Sequence, residues 1–296
     1  MINQTTKHKI EALQNSYTAL VEGNEMLLKE IALAEIPEMV YNSNAIENST
    51  LTLEDTEKIL AGDSLSRKVN IREVYEAKNL AKITEALLAK SKHKLSIKLI
   101  LDLHKTLLIH IDDKIAGRFR SGKEWVRVGN HLGANPKFVN SLMQELADDY
   151  SKNKSRYFLD TIARFHAEFE TIHPFVDGNG RMGRVLINLQ LMNAGLPPII
   201  IQNKSKNTAY YPLFTKYQTS MKFGGFTELF ALLLQETLHK RITLLTAKKI
   251  IPLTVWASKN GVKPNVAANK AKRQTIPAFR MREKWMIAED YLSTEL

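Results

Sequence analysis

The sequence predicts a mainly α-helical protein: a helical bundle carrying one β-hairpin, followed by a small C-terminal module of winged helix-turn-helix type. Three observations carry this. Apolar residues recur at spacings of three and four through most of the first 250 residues. One short stretch alternates instead, with Trp125 and Arg127 set against Val126 and Val128. From Pro252 onward the chain turns basic and has its own turn signals.

The helical pattern runs over residues 73–89, 96–110, 158–172 and 181–194, the last stopped by Gly195 and the pair Pro197-Pro198. A further amphipathic stretch covers 228–245. The hairpin is expected within 117–130 (GRFRSGKEWVRVGN), its two arms flanking Ser121-Gly122. In the tail, residues 253–259 form a short helix ending at Asn260-Gly261. A second helix starts at Pro264 and runs to about Arg273, and AFRMREKWMI alternates as a small hairpin.

The chain's 296 residues are enough for about two domains. With 44% hydrophobic and 25% charged residues, the usage is that of a globular protein and excludes a disordered or fibrous one. No window approaches 18 consecutive apolar residues, and the start, MINQTTKHKIEALQN, has no apolar core with a cleavage site. The expectation is a cytoplasmic protein that neither spans nor contacts a membrane. The absence of cysteine removes disulfides, thiolate nucleophiles and sulfur-ligated metals. Catalysis would have to use His, carboxylate, hydroxyl or a cofactor. The net charge of +11 is uneven: residues 1–60 hold ten acids and four bases, whereas 252–284 hold eight bases and one acid. A concentrated basic tail suits a polyanion, because lysine and arginine displace counterions from phosphates.

The chemistry concentrates in HPFVDGNGRMGR, from His173 to Arg184. Helical periodicity precedes this stretch and resumes within it, so it is a tight turn with a helix opening near Gly180 or Arg181. The unpaired backbone amides of a helix start carry the positive end of the dipole, and Gly178 and Gly180 let a ligand approach the main chain. Arg181 and Arg184 can grip phosphate oxygens with forked donors. Asp177 is placed to hold a cation beside those oxygens, magnesium above others, because it takes one or two carboxylates plus substrate phosphates. From Gly178 to Thr227 there is no acidic residue, while Arg181, Arg184, Lys204, Lys206, Lys216 and Lys222 fall in that span. That field favours an anion. His173 is the nearby group whose ordinary pKa, about 6.5, suits removal of a proton from an attacking hydroxyl.

Other readings of this stretch fail. Gly178, Gly180 and Gly183 satisfy G-x-G-x-x-G, but a helix precedes them and no acid follows until Glu228, which is not a dinucleotide fingerprint. Asp177-Gly-Asn179-Gly opens like a calcium loop, yet the twelfth position is Asn188. No P-loop occurs. His104, His110 and His166 lack metal-ligand spacing and read as satisfied core or surface histidines.

The twelve residues match the Fic motif H-x-F-x-[D/E]-G-N-G-R-x-x-R at every fixed position. The chain resembles that family over roughly residues 30–245. The resemblance implies the Fic helical fold and, most often, transfer of AMP from ATP to a hydroxyl side chain of a target protein, which includes the chain itself. It implies His173 as the base, Asp177 on Mg2+, Gly178, Asn179 and Gly180 as the phosphate nest, Arg181 and Arg184 on the phosphates, and Phe175 as the apolar anchor of the loop. Tyr210 and Tyr211 fall where the family has a tyrosine near the base, and which of them faces it stays open. The 117–130 hairpin is similar to the family's flap, whose edge aligns a target segment by main-chain pairing.

Upstream, Ser43-Asn-Ala-Ile-Glu47-Asn48 fits [S/T]-x-x-x-E-[G/N], which resembles the family's inhibitory helix. A carboxylate at Glu47 would compete with a polyphosphate for Arg184. The tail is similar to the excisionase-like DNA-binding fold, with Lys270, Lys272 and Arg273 on or after the recognition helix and Arg280, Arg282 and Lys284 on the wing. The expected organisation is a helical region with the inhibitory helix at 1–60, the catalytic core at 61–245 and the winged module at 246–296. Association into a homo-oligomer stays open. Two alternatives do as well: a DNA-binding regulator with a nucleotide-sensing core, or a Fic enzyme that transfers another group or removes AMP.

Overall fold

A computed structural model describes residues 2–89, 92–129, 131–152 and 156–292. The chain forms two compact units. One gathers the described residues of Met1–Ile31, Pro197–Ile199 and Glu228–Leu296; the other comprises those of Ala32–Leu196 and Ile200–Thr227.

The larger unit is the helical body. It starts with the end of α2 (Glu25–Ala34), followed by α3 (Ile36–Ile46), α4 (Leu53–Ala61), α5 (Ile71–Leu88) and α6 (Ile97–Leu108). Helices α4, α5 and α6 start where the sequence supplies side-chain caps. Thr52 and Asp55 form a reciprocal capping box on α4, Asn70 caps α5 through Arg72 N, and Ser96 caps α6 through Leu99 N. Next come the short antiparallel strands β1 (Arg127–Val128) and β2 (His131–Leu132), then α7 (Val139–Lys152), α8 (Phe158–Ile172), α9 (Asn179–Asn193) and α10 (Tyr211–Ser220). A π-helical turn, Lys206–Tyr210, leads into α10. Along α8 the residues Leu159, Ile162, Phe165, Phe169 and Ile172 are buried at spacings of three and four, which turns one face of the helix to the core. By contrast, α9 is buried nearly all round, Arg181 and Arg184 included, so it runs through the middle of the body. The shared core includes Val40, Leu80, Ile83, Leu107, Met143, Phe169, Phe175 and Leu186.

The hairpin differs from the sequence expectation. Its strands are 127–128 and 131–132, with Val128 paired to His131 around Gly129 (φ +57°), and not two arms about Ser121-Gly122. Asn130 lies outside the described residues. The reason is the fate of two arginines. Arg118 folds back to grip Glu124 with two bonds of 2.8 and 2.6 Å. Arg120 is buried and donates to His173 O (2.7 Å), Ile172 O (2.9 Å) and Ala134 O. Residues 118–120 are therefore committed to side-chain anchoring and leave no ladder to pair.

The smaller unit contains α1 (Gln4–Val21), most of α11 (Gly224–Thr246), β3 (Ile250–Pro252), α12 (Leu253–Lys259), α13 (Pro264–Lys272), β4 (Phe279–Met281) and β5 (Lys284–Ala288). The three strands form an antiparallel sheet in the order β3-β5-β4. The sheet packs with α12 and α13 around Trp256, Ala267, Ala271 and Ile287, and Trp256 Nε1 donates to Tyr291 O at 3.0 Å. Gln274, in the left-handed region at φ +53°, ties this module to the rest of its unit: its Oε1 meets His239 Nδ1 at 2.8 Å and its carbonyl accepts from Lys9.

Candidate active site

The loop between α8 and α9 is shaped by backbone geometry at its two ends. His173 caps α8 in the left-handed region (φ +51°, ψ +63°), an uncommon place for a residue other than glycine. It is held there because its N–H donates to Phe169 O (2.9 Å) and its carbonyl accepts from Arg120. At the other end Gly178, at φ +83°, caps α9; a side chain there would be strained and would press on Leu107. Between them Phe175 is fully buried, stacked on His104 with centroids 3.6 Å apart and planes within 8°. Asn179 turns its amide inward, accepting from Phe175 N and donating to Phe175 O, both at 2.8 Å. Its side chain thus staples the loop, leaving the free backbone amides of the first turn of α9 as anion donors.

The loop opens into a cleft of about 1120 Å³ whose lining includes Glu47, Arg72, His173, Asp177, Arg184 and Tyr211. Within it, burial holds the His173 imidazole down at about 4, so it is neutral near pH 7 and can take a proton. Its Nδ1 lies 3.3 Å from Glu170 O. Asp177 is 35% exposed; burial alone would raise its pKa, but the Arg181 and Arg72 guanidinium groups hold it below the usual carboxylate range. Arg72 pairs with Asp177, and Glu76 bridges Arg72 and Arg181 at 3.0 Å each. A four-member charge network therefore covers the carboxylate.

Arg184, 8% exposed, is engaged through both Nε and Nη2. It donates from Nε to Ser43 Oγ (2.9 Å) and from Nη2 to Ser43 O and Glu47 Oε1 (2.8 Å each). Glu47 follows the last turn of α3 and lies against the nest so closely that a Cβ on Gly180 would collide with its Oε1. The next residue, Asn48, adopts φ +67°, which explains why that position calls for Gly or Asn. The end of α3 is held from across the cleft. Lys206 Nζ donates to Ala45 O (2.9 Å), Ile46 O (3.0 Å) and Asn48 Oδ1 (2.9 Å), and Tyr211 Oη to Ile46 O at 2.6 Å.

Of the two tyrosines, Tyr210 is buried with its hydroxyl 2.8 Å from His166 Nε2, while Tyr211 faces α3; the Tyr210 hydroxyl meets His166, not His173. His104 and His166 are buried core histidines. His104 accepts from Gly117 N at Nδ1 and faces Asp177 O at 3.0 Å through Nε2, bracing the loop. Sequence reasoning did not single out Arg72, Glu76, Arg120 or Glu170. Arg72 and Glu76 carried a weak signal as an i, i+4 pair, and Glu170 lies three residues before His173 on one helix face.

In the other unit, Lys272, Arg273, Arg282 and Lys284 are exposed and Lys270 is half-buried. Arg280 is differently placed: it grips Glu236 through Nε (2.8 Å) and Nη2 (2.5 Å) and lies over Trp285.

Residues 94–191 match the model of the Fic/DOC family. A protein adenylyltransferase fic-1 of Caenorhabditis briggsae is 29% identical over 242 residues, covering 79% of this chain and 45% of that protein. A protein adenylyltransferase Fic of Drosophila willistoni is 33% identical over 208 residues, covering 68% and 41%. The chain thus spans less than half the length of these curated relatives. Among solved structures, a Fic domain containing signaling protein from Bacteroides thetaiotaomicron superposes with a TM-score of 0.72 at 24% identity, covering 80% of this chain and 96% of that one. A Fic family protein from Desulfovibrio desulfuricans gives 0.64 at 20% identity over 99% and 98%. With the motif at the start of α9 and the helical body around it, these likenesses agree: the chain carries a domain of the Fic/DOC family.

Proposed function

We propose that this protein transfers AMP from ATP to a hydroxyl side chain of a protein, itself included, and that Glu47 restrains it. The observation that carries the reading is the Arg184–Glu47 pair at the mouth of an anion-ready helix start, with a neutral histidine in the same cleft. The curated relatives named as protein adenylyltransferases support the same chemistry.

In this reading the first-turn amides of α9 and Arg181 hold the inner phosphates. Arg184 takes the terminal phosphate once Glu47 has moved away. His173 Nε2 accepts the proton of the incoming hydroxyl, whose oxygen bonds to the α-phosphorus as pyrophosphate leaves. The flap strand β1, with Trp125 and Val128 exposed beside it, offers an edge for the target backbone. The donor set fits a magnesium ion: Asp177 is ionised at neutral pH and reaches the cleft, and among the described residues no three acidic or histidine side chains form a protein cage. Asp177 and the phosphates would then share the ion. When bound, it would neutralise phosphate charge.

Glu47→Gly is expected to raise incorporation of labelled AMP from ATP, and adding His173→Ala to abolish it. Equal incorporation by the parent and Glu47→Gly proteins would refute the restraint, and incorporation surviving His173→Ala would refute the base. Mass spectrometry of the product distinguishes AMP from another transferred group.

A second function is favoured by the α12–α13 pair, the β4–β5 hairpin and the exposed Lys272, Arg273, Arg282 and Lys284. We propose that this module binds duplex DNA chiefly through phosphates. Retention of the full chain on duplex DNA should fall steeply with salt and weaken in a Lys272→Ala/Arg273→Ala variant; no retention at low salt would refute it.

A further inference from the structure

Glu170 has no part in the chemistry above, yet it touches the base. It occupies the α8 position one turn before His173, and its Oε2 lies 3.6 Å from His173 Nδ1. Its other oxygen, Oε1, is buried and makes no hydrogen bond. That oxygen fills the hollow opposite Gly183, where a Cβ would collide with it and press on the His166 ring at 3.0–3.1 Å. A buried carboxyl with an unmatched oxygen is costly in a folded core. Leucine or alanine would fill the same space without that cost, so the carboxyl calls for a reason. Its location supplies one: the Nδ1 side of the catalytic imidazole on one hand and the first turns of the phosphate-binding helix on the other.

We infer that Glu170 is the positioning residue of His173, its carboxyl backing Nδ1 so that Nε2 faces the incoming hydroxyl and the imidazolium formed by proton transfer is stabilised. No proton passes to Glu170 in this role; the hydroxyl proton stays on His173 Nε2 and Nδ1 keeps its own. The surrounding charge links this role to the restraint. The groups facing the carboxyl are His166 and His173 on its own helix, Glu47 from the end of α3, Arg184 from α9, and Tyr210 and Tyr211 at the start of α10. Burial, and then the neighbouring Glu47 carboxylate, push Glu170 up to about 8 against the pull of Arg184. With Glu47 in place Glu170 is therefore mostly the neutral acid near pH 7, and departure of Glu47 removes one of the two causes. Glu47 thus acts twice, by occupying Arg184 and by adding to the burial that raises the Glu170 carboxyl toward its neutral form.

The kinetic part of the test rests on the AMP-transfer reading; the spectroscopic part does not. In a Glu47→Gly background, adding Glu170→Gln should lower kcat about ten-fold or more while KM for ATP stays within about two-fold, and should flatten the limb of the pH profile that reports Glu170. Glu170→Leu, whose side chain fills the space the carboxyl leaves, should fold and stay slow. Recovery of the parent kcat by that variant would show that Glu170 only fills space and would overturn the assignment, as would an unchanged kcat in Glu170→Gln. Independently of turnover, the His173 ring resonances should show a second inflection near pH 8 in the parent protein. It should move to lower pH in Glu47→Gly and vanish in Glu170→Gln; a His173 titration identical in the parent and Glu170→Gln overturns the inference. Failure of Glu47→Gly to transfer AMP would count against the proposed function alone, and the resonances would still decide the role of Glu170.

Discussion

Replacing Lys206 by methionine isolates the hold on the end of α3. Its ammonium donates to two main-chain carbonyls and the Asn48 amide oxygen, all within 3.0 Å, and sits at the negative end of the α3 dipole. Ala45 O keeps the Asn48 N–H (3.1 Å) and Ile46 O its bond from Tyr211, so the variant orphans neither carbonyl; it strips each of a charged donor and removes one charge from the helix end. A charge–dipole contact at a partly buried helix terminus is worth about 1 kcal/mol, and a charge-assisted hydrogen bond adds about as much after solvent exchange. The closed arrangement with Glu47 on Arg184 should weaken by about 2 kcal/mol, which shifts its equilibrium about thirty-fold. Initial rates of AMP incorporation should rise toward that factor in the parent background and stay unchanged in Glu47→Gly, where no restraint remains. An equal change in both backgrounds would show that Lys206 acts on ATP or the fold and not on the Glu47 restraint.

Three further expectations concern folding. Burial holds His104, His166 and His239 neutral, at about 4, about 3 and about 4, below the ordinary 6.5 they regain on unfolding. The unfolded chain therefore binds protons first as pH falls, and stability present above pH 6.5 is lost between 6.5 and 4 at up to about 1.4 kcal/mol per pH unit for each histidine; His104→Gln should flatten this slope in urea titrations. Both Asn48→Val and Asn48→Gly lose the Lys206 bond, but only Val is strained in the left-handed backbone, so Asn48→Val should melt at a lower temperature than Asn48→Gly; equal melting of both would contradict the φ argument. Glu236→Gln, which strips Arg280 of its bidentate partner, should cost about 2 kcal/mol in the unfolding of the smaller unit. A loss below about 0.5 kcal/mol would show the pair is solvated.

Local signals made much of this legible. The spacing of apolar residues gave α8 at the same limits, Phe158–Ile172, and α12 likewise, because both helices are amphipathic and end at residues that cannot continue them. The helix start proposed to hold an anion was legible because glycines, an amide and arginines stand together in twelve residues, and those residues do open α9. Contacts across the chain were not. Nothing local marks Arg120 as an anchor buried under the His173 loop, and that burial is why the hairpin moved to 127–132. Lys206 read as part of a positive field facing the cleft, whereas its charge meets the carbonyls of a helix 160 residues earlier. Arg280 read as a surface cation because Glu236 lies on another element. In each case a long side chain chose a partner that the sequence does not place beside it.

Calorimetric titration of Mg-ATP into the parent, Glu47→Gly, Arg184→Ala and double-variant proteins tests the competition for Arg184 most directly. Glu47→Gly should bind about ten-fold more tightly than the parent, and this gain should disappear when Arg184 is also replaced. Equal affinity in the parent and Glu47→Gly, or a gain that survives loss of Arg184, would contradict that competition.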